Sequence, residues 1–244
     1  MGFRLALINP NTTAAHTAAM AAAARDVLPA GAQVLELTAT RGPAVIEGRA
    51  DGAIAAAEVV ALLHANPGHD AYLVACFADP ALPGVRELTR APVVGIGESA
   101  LRAASLVSNR FGIVTTLPRS VPEMEDLVAS TGLTARCVGV AALGAPGLSD
   151  SWTDGAGRDR LTEAAAGLVE RAGAEALVLA CGAMADVTRA LSEQLDVPIC
   201  DGVAFGALTA HALWRMGVRT SKRGSLAFPE PIAYAGMPAL VGAP

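Results

Sequence analysis

Ala71-Tyr-Leu-Val-Ala-Cys76 and Ala176-Leu-Val-Leu-Ala-Cys181 are the two stretches that decide the fold. Each is a short apolar run ending in cysteine, without the polar alternation of a half-exposed strand. Strands buried on both faces read this way, and such strands belong to parallel sheets covered by helices. The two runs stand 105 residues apart. Arg4-Leu-Ala-Leu-Ile-Asn9 recurs as Arg110-Phe-Gly-Ile-Val-Thr115, and Ala91-Pro-Val-Val as Val197-Pro-Ile-Cys, both 106 residues later. Three matches in one order, 105 or 106 residues apart, predict an α/β chain of two similar, pseudo-symmetric parallel-sheet subdomains with helices on both faces.

Outward from these runs, strands are expected at 4–9, 33–37, 71–76, 93–96, 111–115, 135–140, 176–180 and 199–201. Ala-rich helical stretches fall between them at 13–27, 50–64, 80–89, 99–107, 122–130, 159–172, 184–195 and 203–216. This alternation is the α/β pattern. The expected division is 1–98 for the first subdomain and 99–207 for the second, with 208–244 packing back on the first. Ligands of open α/β sheets bind outside the C-terminal strand ends, so the active site is expected in the cleft between the halves. Ser149–Gly157, with Trp152, reads as a lid or as an ordinary exposed loop, and Phe228–Pro244 as an extended tail.

Composition narrows the function. With 52% hydrophobic and 17% charged residues, the 244-residue chain is not intrinsically disordered. A net charge of −5 argues against a nucleic-acid surface and against a polybasic membrane face. No apolar stretch is long enough to span a membrane, and Leu5–Ile8 is too short for a signal-peptide core, so a cytoplasmic protein is expected. The four cysteines show no CxxC and no metal-ligand spacing, and are expected as thiols. Gly95-Ile-Gly97 follows the fourth expected strand rather than the first, which makes it weak evidence for a nucleotide. No metal and no cofactor is expected.

Cys76 and Cys181 each end an apolar strand and precede a helix start. A thiol there meets backbone N–H groups and the positive end of a helix dipole, which favour thiolate. The same N–H groups, near Phe77-Ala78 and Gly182-Ala183, are placed to receive charge developing on a substrate oxygen. One strand-end cysteine is often only a small hydrophobe. Two at matched places of a doubled fold face one cleft from opposite walls, which suits removing a proton from one face of a carbon and returning one to the other. Cys137 and Cys200 have no matched counterpart and read as core.

The polar groups around this pair are less decisive. Asn9, Asn11 and Thr12 follow the first strand, where they either cap the next helix, at Thr12 or Thr13, or face a substrate. Asn9 lies nearer the cleft, and its counterparts are Thr115 and Thr116. Val45 sits in the Gly42–Glu47 loop, whose backbone is within reach of a ring bound there. Phe77 either lines the pocket or packs beneath it, and Glu98 either caps the helix at Ser99 or sits near the cleft. The histidines at 16, 64, 69 and 211 have no partner spacing and read as surface or helix residues.

Ile8-Asn-Pro-Asn-Thr-Thr13, Ala75-Cys-Phe-Ala-Asp-Pro80, Pro92-Val-Val-Gly-Ile-Gly-Glu98 and Ala180-Cys-Gly-Ala-Met184 resemble the aspartate/glutamate/hydantoin racemase superfamily, its hydantoin racemase branch above all. The resemblance runs from Leu5 to about Trp214, and its specific parts are the Asn-Pro-Asn-Thr start and the two cysteine segments. It implies a cofactor-independent enzyme that uses two cysteines as acid and base and binds its substrate between two similar α/β domains. The expected activity is racemisation of 5-monosubstituted hydantoins, whose C5–H lies beside a carbonyl and is acidic for a carbon acid. Allantoin racemases share these segments, and allantoin is itself a 5-substituted hydantoin. Arylmalonate decarboxylases keep one catalytic cysteine, against the two here, and maleate isomerases use one cysteine as a nucleophile on an alkene. Another amino-acid racemase or a non-catalytic ureide-binding protein stays open. The expected partner is a small-molecule substrate, and the apolar tail and a sheet edge point to a homo-oligomer.

Overall fold

A computed structural model describes residues 2–144, 155–180, 187–230 and 232. The first half runs β1 (Arg4–Asn9), α1 (Ala14–Val27), β2 (Gln33–Thr38), α2 (Arg49–Ala65), β3 (Ala71–Val74), α3 (Leu82–Leu88), β4 (Val93–Gly95) and α4 (Ile96–Val107). The second repeats the order as β5 (Phe111–Thr115), α5 (Val121–Ser130), β6 (Cys137–Ala142), α6 (Gly155–Glu170), β7 (Ala176–Leu179), α7 (Thr188–Leu195), β8 (Ile199–Cys200) and α8 (Gly202–Arg215). Both sheets are parallel, ordered β2-β1-β3-β4 and β6-β5-β7-β8.

The register carries the repeat read in the sequence. Leu5 pairs with Ala71 and Phe111 with Ala176, while Tyr72 pairs with Val93 and Leu177 with Ile199. Matched hydrogen bonds extend it, with the Tyr72 N–H donating to Pro92 and the Leu177 N–H to Pro198, both at 2.9 Å. Some boundaries differ from expectation. β3 ends at Val74, so Cys76 stands beyond the strand, and Ile96 opens α4 instead of closing β4. β6 starts two residues late because Thr134–Arg136 form a 3-10 turn.

Strand pleating sends alternate side chains to opposite faces. Leu5, Leu7 and Leu73 pack with Met20, Ala21 and Ala24 of α1, and with Val203, Ala207 and Ala210 of α8. Ile8, Tyr72 and Val74 pack on α2 and α3 through Val59, Leu63, Leu82 and Val85. In the second sheet, Phe111, Ile113 and Val178 meet Leu101 and Ala104 of α4 and Met124 and Val128 of α5, while Leu177 and Leu179 meet α6 and α7. The halves therefore exchange a helix. α4 follows the first sheet but covers the second, and α8 follows the second but covers the first. Their alanines and glycines let the two helices lie against each other.

The exchange brings strand ends together. A Cβ on Gly202, at the start of α8, would fall on the Ile96 carbonyl at the start of α4. Elsewhere on the seam the Ser120 hydroxyl donates to the Glu47 carbonyl at 2.9 Å, and Gly48 lies against the Arg119 guanidinium. All of these residues lie just past C-terminal strand ends, or in the loops that follow them. Among the described residues no helix is long and apolar enough to cross a membrane. The Ser149–Asp154 part of the expected lid loop, with Trp152, and the tail at 231 and 233–244 lie outside the described residues.

After α8 the chain returns to α3. Lys222, the only lysine of the sequence, donates to the carbonyls of Arg86, Glu87 and Leu226 and lies 4.8 Å from the centre of the Phe228 ring. A cation at the carboxyl end of a helix satisfies carbonyls that the helix itself cannot. Lys222→Met is expected to cost about 1 kcal/mol, a fall of about 2–4 °C in Tm, and to speed proteolysis after residue 217. Calorimetry and a trypsin time course check it.

Candidate active site

The Ala75 N–H still donates to the Ile8 carbonyl, at 2.8 Å, and the next residue is Cys76, half-buried beyond the ladder. A tight turn closes there, with the Asp79 N–H donating to the Cys76 carbonyl at 3.0 Å. The Phe77 ring is 5% exposed and lies among Leu101, Phe111 and Met124, so it packs beneath the loop and leaves its backbone to the site. Ala78 is half-buried against the same cluster. The N–H groups of Phe77 and Ala78 have no acceptor among the described residues.

The second half repeats this approach. The Ala180 N–H donates to the Val114 carbonyl at 2.8 Å, so the residue before Cys181 is held as the residue before Cys76 is. Cys181, Gly182 and Ala183 lie outside the described residues. Thr115, at the end of β5, is buried, and Thr116 beyond it is half-buried.

Asn9 takes the matching place at the end of β1 and is fully buried. Its amide nitrogen donates to Asn11 Oδ1 and Thr17 Oγ1, each at 2.9 Å, and its Oδ1 accepts from the Asn11 N–H at 3.1 Å. Asn9 thus bears on the site by shaping the turn of half-buried Asn11. The expected threonine cap is corrected here. Thr13 takes the cap position of α1 but makes no side-chain cap bond. Its hydroxyl donates instead to the Ala44 carbonyl at 2.8 Å, and the Thr12 N–H to the Pro43 carbonyl at 3.0 Å. These bonds tie the β1 loop to the loop that carries half-buried Val45.

Sequence reasoning missed Asp79. It is buried at 6% exposure, with a left-handed backbone at φ 48°. Its carboxylate accepts from the Gly97 N–H at 3.0 Å and the Glu98 N–H at 2.6 Å, the first turn of α4. Burial pushes this carboxyl up to about 8, while those two N–H bonds and the Arg86 guanidinium pull it down. Gly95 and Gly97 are there for space. A Cβ at 95 would fall on the Asp79 carboxyl, and one at 97 on the Phe77 carbonyl oxygen. Their spacing was the signal that the sequence offered. Glu98 belongs to the same cap, accepting from the Gly95 N–H at 3.3 Å and pairing with Arg86 at 2.5 Å.

The remaining candidates lie elsewhere. Cys200 is buried in an apolar cluster that pushes its thiol up to about 11, and burial raises Cys137 as well. A thiol held so high is poorly nucleophilic at neutral pH. His211 stacks edge-on against Phe3, and His69 bonds the Asn66 carbonyl and packs on Tyr72. His16 is the exception, on the first turn of α1 with Nδ1 3.5 Å from the Asn11 amide nitrogen.

A family model described as Asp/Glu/Hydantoin racemase matches residues 5–210. The hydantoin racemase of Rhizobium meliloti is 40% identical over 233 residues, covering 94% of this chain and 96% of that protein. The hydantoin racemase of Paenarthrobacter aurescens is 37% identical over 235 residues, covering 95% and 99%. The structure of the allantoin racemase from Klebsiella pneumoniae superposes with a TM-score of 0.91 at 37% identity, covering 96% of this chain and 97% of that one. With two covered parallel sheets in one strand order and matches along nearly its whole length, this chain is a racemase and belongs to the Asp/Glu/Hydantoin racemase family.

Proposed function

We propose that the protein racemises 5-monosubstituted hydantoins, allantoin among them, without a cofactor, through Cys76 and Cys181. The observation that carries this reading is the Cys76 turn, a half-buried thiol past a C-terminal strand end, followed by two N–H groups with no acceptor among the described residues. The matched anchoring of Ala75 and Ala180 supports a second sulfur entering the same seam from the other half. The named activities of the relatives agree with the substrate class.

The chemistry needs two sulfurs of opposite duty. One thiolate takes the C5 proton, and the C–H electron pair moves into the neighbouring carbonyl to give an enolate. The Phe77 and Ala78 N–H groups, and their counterparts at Gly182 and Ala183, receive the charge on that oxygen. The opposite thiol then protonates C5 on its other face and becomes the thiolate, so each cysteine is base for one enantiomer and acid for the other. Asn11, Val45, Thr115 and Thr116 would border a neutral ring and offer it hydrogen bonds without adding charge.

A polarimetric panel in D2O tests the reading with (S)-allantoin, L-5-benzylhydantoin, L-5-isopropylhydantoin and L-aspartate. At least one hydantoin is expected to lose its rotation as one deuterium enters at C5. Turnover of aspartate alone overturns the substrate class. A hydantoin that binds but takes up no deuterium overturns the catalytic reading in favour of a binding protein.

A further inference from the structure

The two halves cap their exchanged helices in different ways. In the second half the cap of α8 is local. Asp201, the residue just before the helix, accepts from the Val203 N–H at 2.8 Å. The equivalent residue before α4, 106 places earlier, is Gly95, which has no side chain to offer. The cap of α4 comes instead from Asp79, on the turn that carries Cys76. The residue 105 places on from Asp79 is Met184, which has no carboxylate.

The remote cap is the costlier solution. It buries a carboxylate, holds a non-glycine residue at φ 48°, and needs glycine at both 95 and 97 to let the turn approach. An aspartate at 95 would satisfy the same N–H groups without these demands. What the remote cap adds is a connection. α4 lies on the second sheet, so the Asp79 carboxylate fastens the Cys76 turn to an element of the opposite wall. Its own N–H fastens the same turn from within by donating to the Cys76 carbonyl.

We propose that Asp79 is a positioning residue for Cys76, fixing the sulfur relative to the opposite wall by holding its turn on the first turn of α4. This rests on the reading of Cys76 given above. The charged groups that face Asp79 are Arg86, from α3, and Glu98, on α4 itself.

The test moves the cap. Asp79→Gly with Gly95→Asp gives α4 the local cap that α8 has. Glycine accepts the φ at 79, and removing the Asp79 carboxyl vacates the space that a Cβ at 95 would enter. Asp79→Gly alone is expected to lower both Tm and kcat. In the double variant Tm is expected to recover, while kcat on 5-benzylhydantoin stays about tenfold or more below the parent and KM moves less than about twofold. Alkylation of Cys76 by iodoacetamide, followed by peptide mass mapping, is expected to run faster and with a shifted pH profile. A double variant with parental kcat and a parental alkylation profile reduces Asp79 to a helix cap and overturns the proposal. If the double variant does not fold, Asp79→Gly alone, which removes both bonds to α4, decides in the same two measurements well below its Tm, with parental values again the overturning result. Alkylation is read without turnover, so this outcome is separate from the functional reading, which falls instead if Cys76→Ser racemises at the parental rate.

Discussion

Cys76→Ser and Cys181→Ser each fold normally and racemise about 10²–10⁴-fold more slowly than the parent, the range general acid–base catalysis supplies. Serine nearly matches cysteine in volume, so a half-buried turn such as that of Cys76 tolerates the change, with Tm expected to move by no more than a few degrees. The hydroxyl is far too weak an acid to be ionised near neutral pH, so the wall carrying it loses its base. The isotope pattern is sharper than the rate. In each single variant the remaining thiolate still reaches one enantiomer, which exchanges its C5 proton with solvent and keeps its configuration. The other enantiomer faces serine and does not exchange. The two variants should therefore prefer opposite hands, each shown by NMR of pure enantiomers in D2O. Equal exchange of both hands in both variants would mean that some other group is the base.

The repeat was legible because strand sequences fix register. Leu5 and Phe111, or Tyr72 and Leu177, could be aligned by eye at 105 or 106 residues, and the ladders pair them with matched partners. The family resemblance was carried by short motifs that fall at strand ends, where the seam lies. The expected division put the 99–107 helix with the second half and 208–244 with the first; what it did not give is that the start of α8, with Val203 and Ala207, also packs on the first sheet, because the apolar face of an Ala-rich helix says that it is buried without saying on which sheet. The cap of α4 was hidden for a related reason. Asp79 stands 18 residues before Gly97, and a cap made at that range leaves no local signature. Its trace was a pair of glycines that resemble a nucleotide loop. Asn9 was read as nearer the cleft and Thr13 as a helix cap, yet Asn9 is buried and bonds Thr17 of α1, and Thr13 bonds Ala44, partners set by how α1 and the β2 loop pack around the end of β1.

Gly97→Ala tests whether that glycine pair is a spatial requirement, and the sign of its effect is diagnostic. Inside a helix, replacing glycine by alanine ordinarily stabilises by up to about 1 kcal/mol. Gly84, in α3, should behave so, because nothing lies within 4 Å of a Cβ placed there. At 97 the new methyl would fall on the Phe77 carbonyl oxygen, with the Leu127 side chain and the Asp79 carboxylate beside it. A side chain in the way can rotate, but a carbonyl moves only with its backbone, so the Cys76 turn must lift from α4. That separation weakens both N–H bonds to Asp79 and opens the apolar contacts of Phe77. Overpacking against rigid neighbours costs about 1–3 kcal/mol, and the weakened buried bonds add to it, so a loss of about 3 kcal/mol is expected. At about 2–4 °C per kcal/mol, Tm falls by roughly 6–12 °C. Gly202→Ala meets the Ile96 backbone in the same way and should cost a comparable amount. The two differ in activity. At a temperature where each is folded, Gly97→Ala should lose more kcat, because it displaces the turn bearing the sulfur directly, whereas Gly202→Ala presses on Ile96 and reaches that turn only through the Asp79 bonds to α4. Calorimetry and initial rates on the three variants decide it, and a Gly97→Ala chain as stable as Gly84→Ala would show that the turn does not sit on α4 as described.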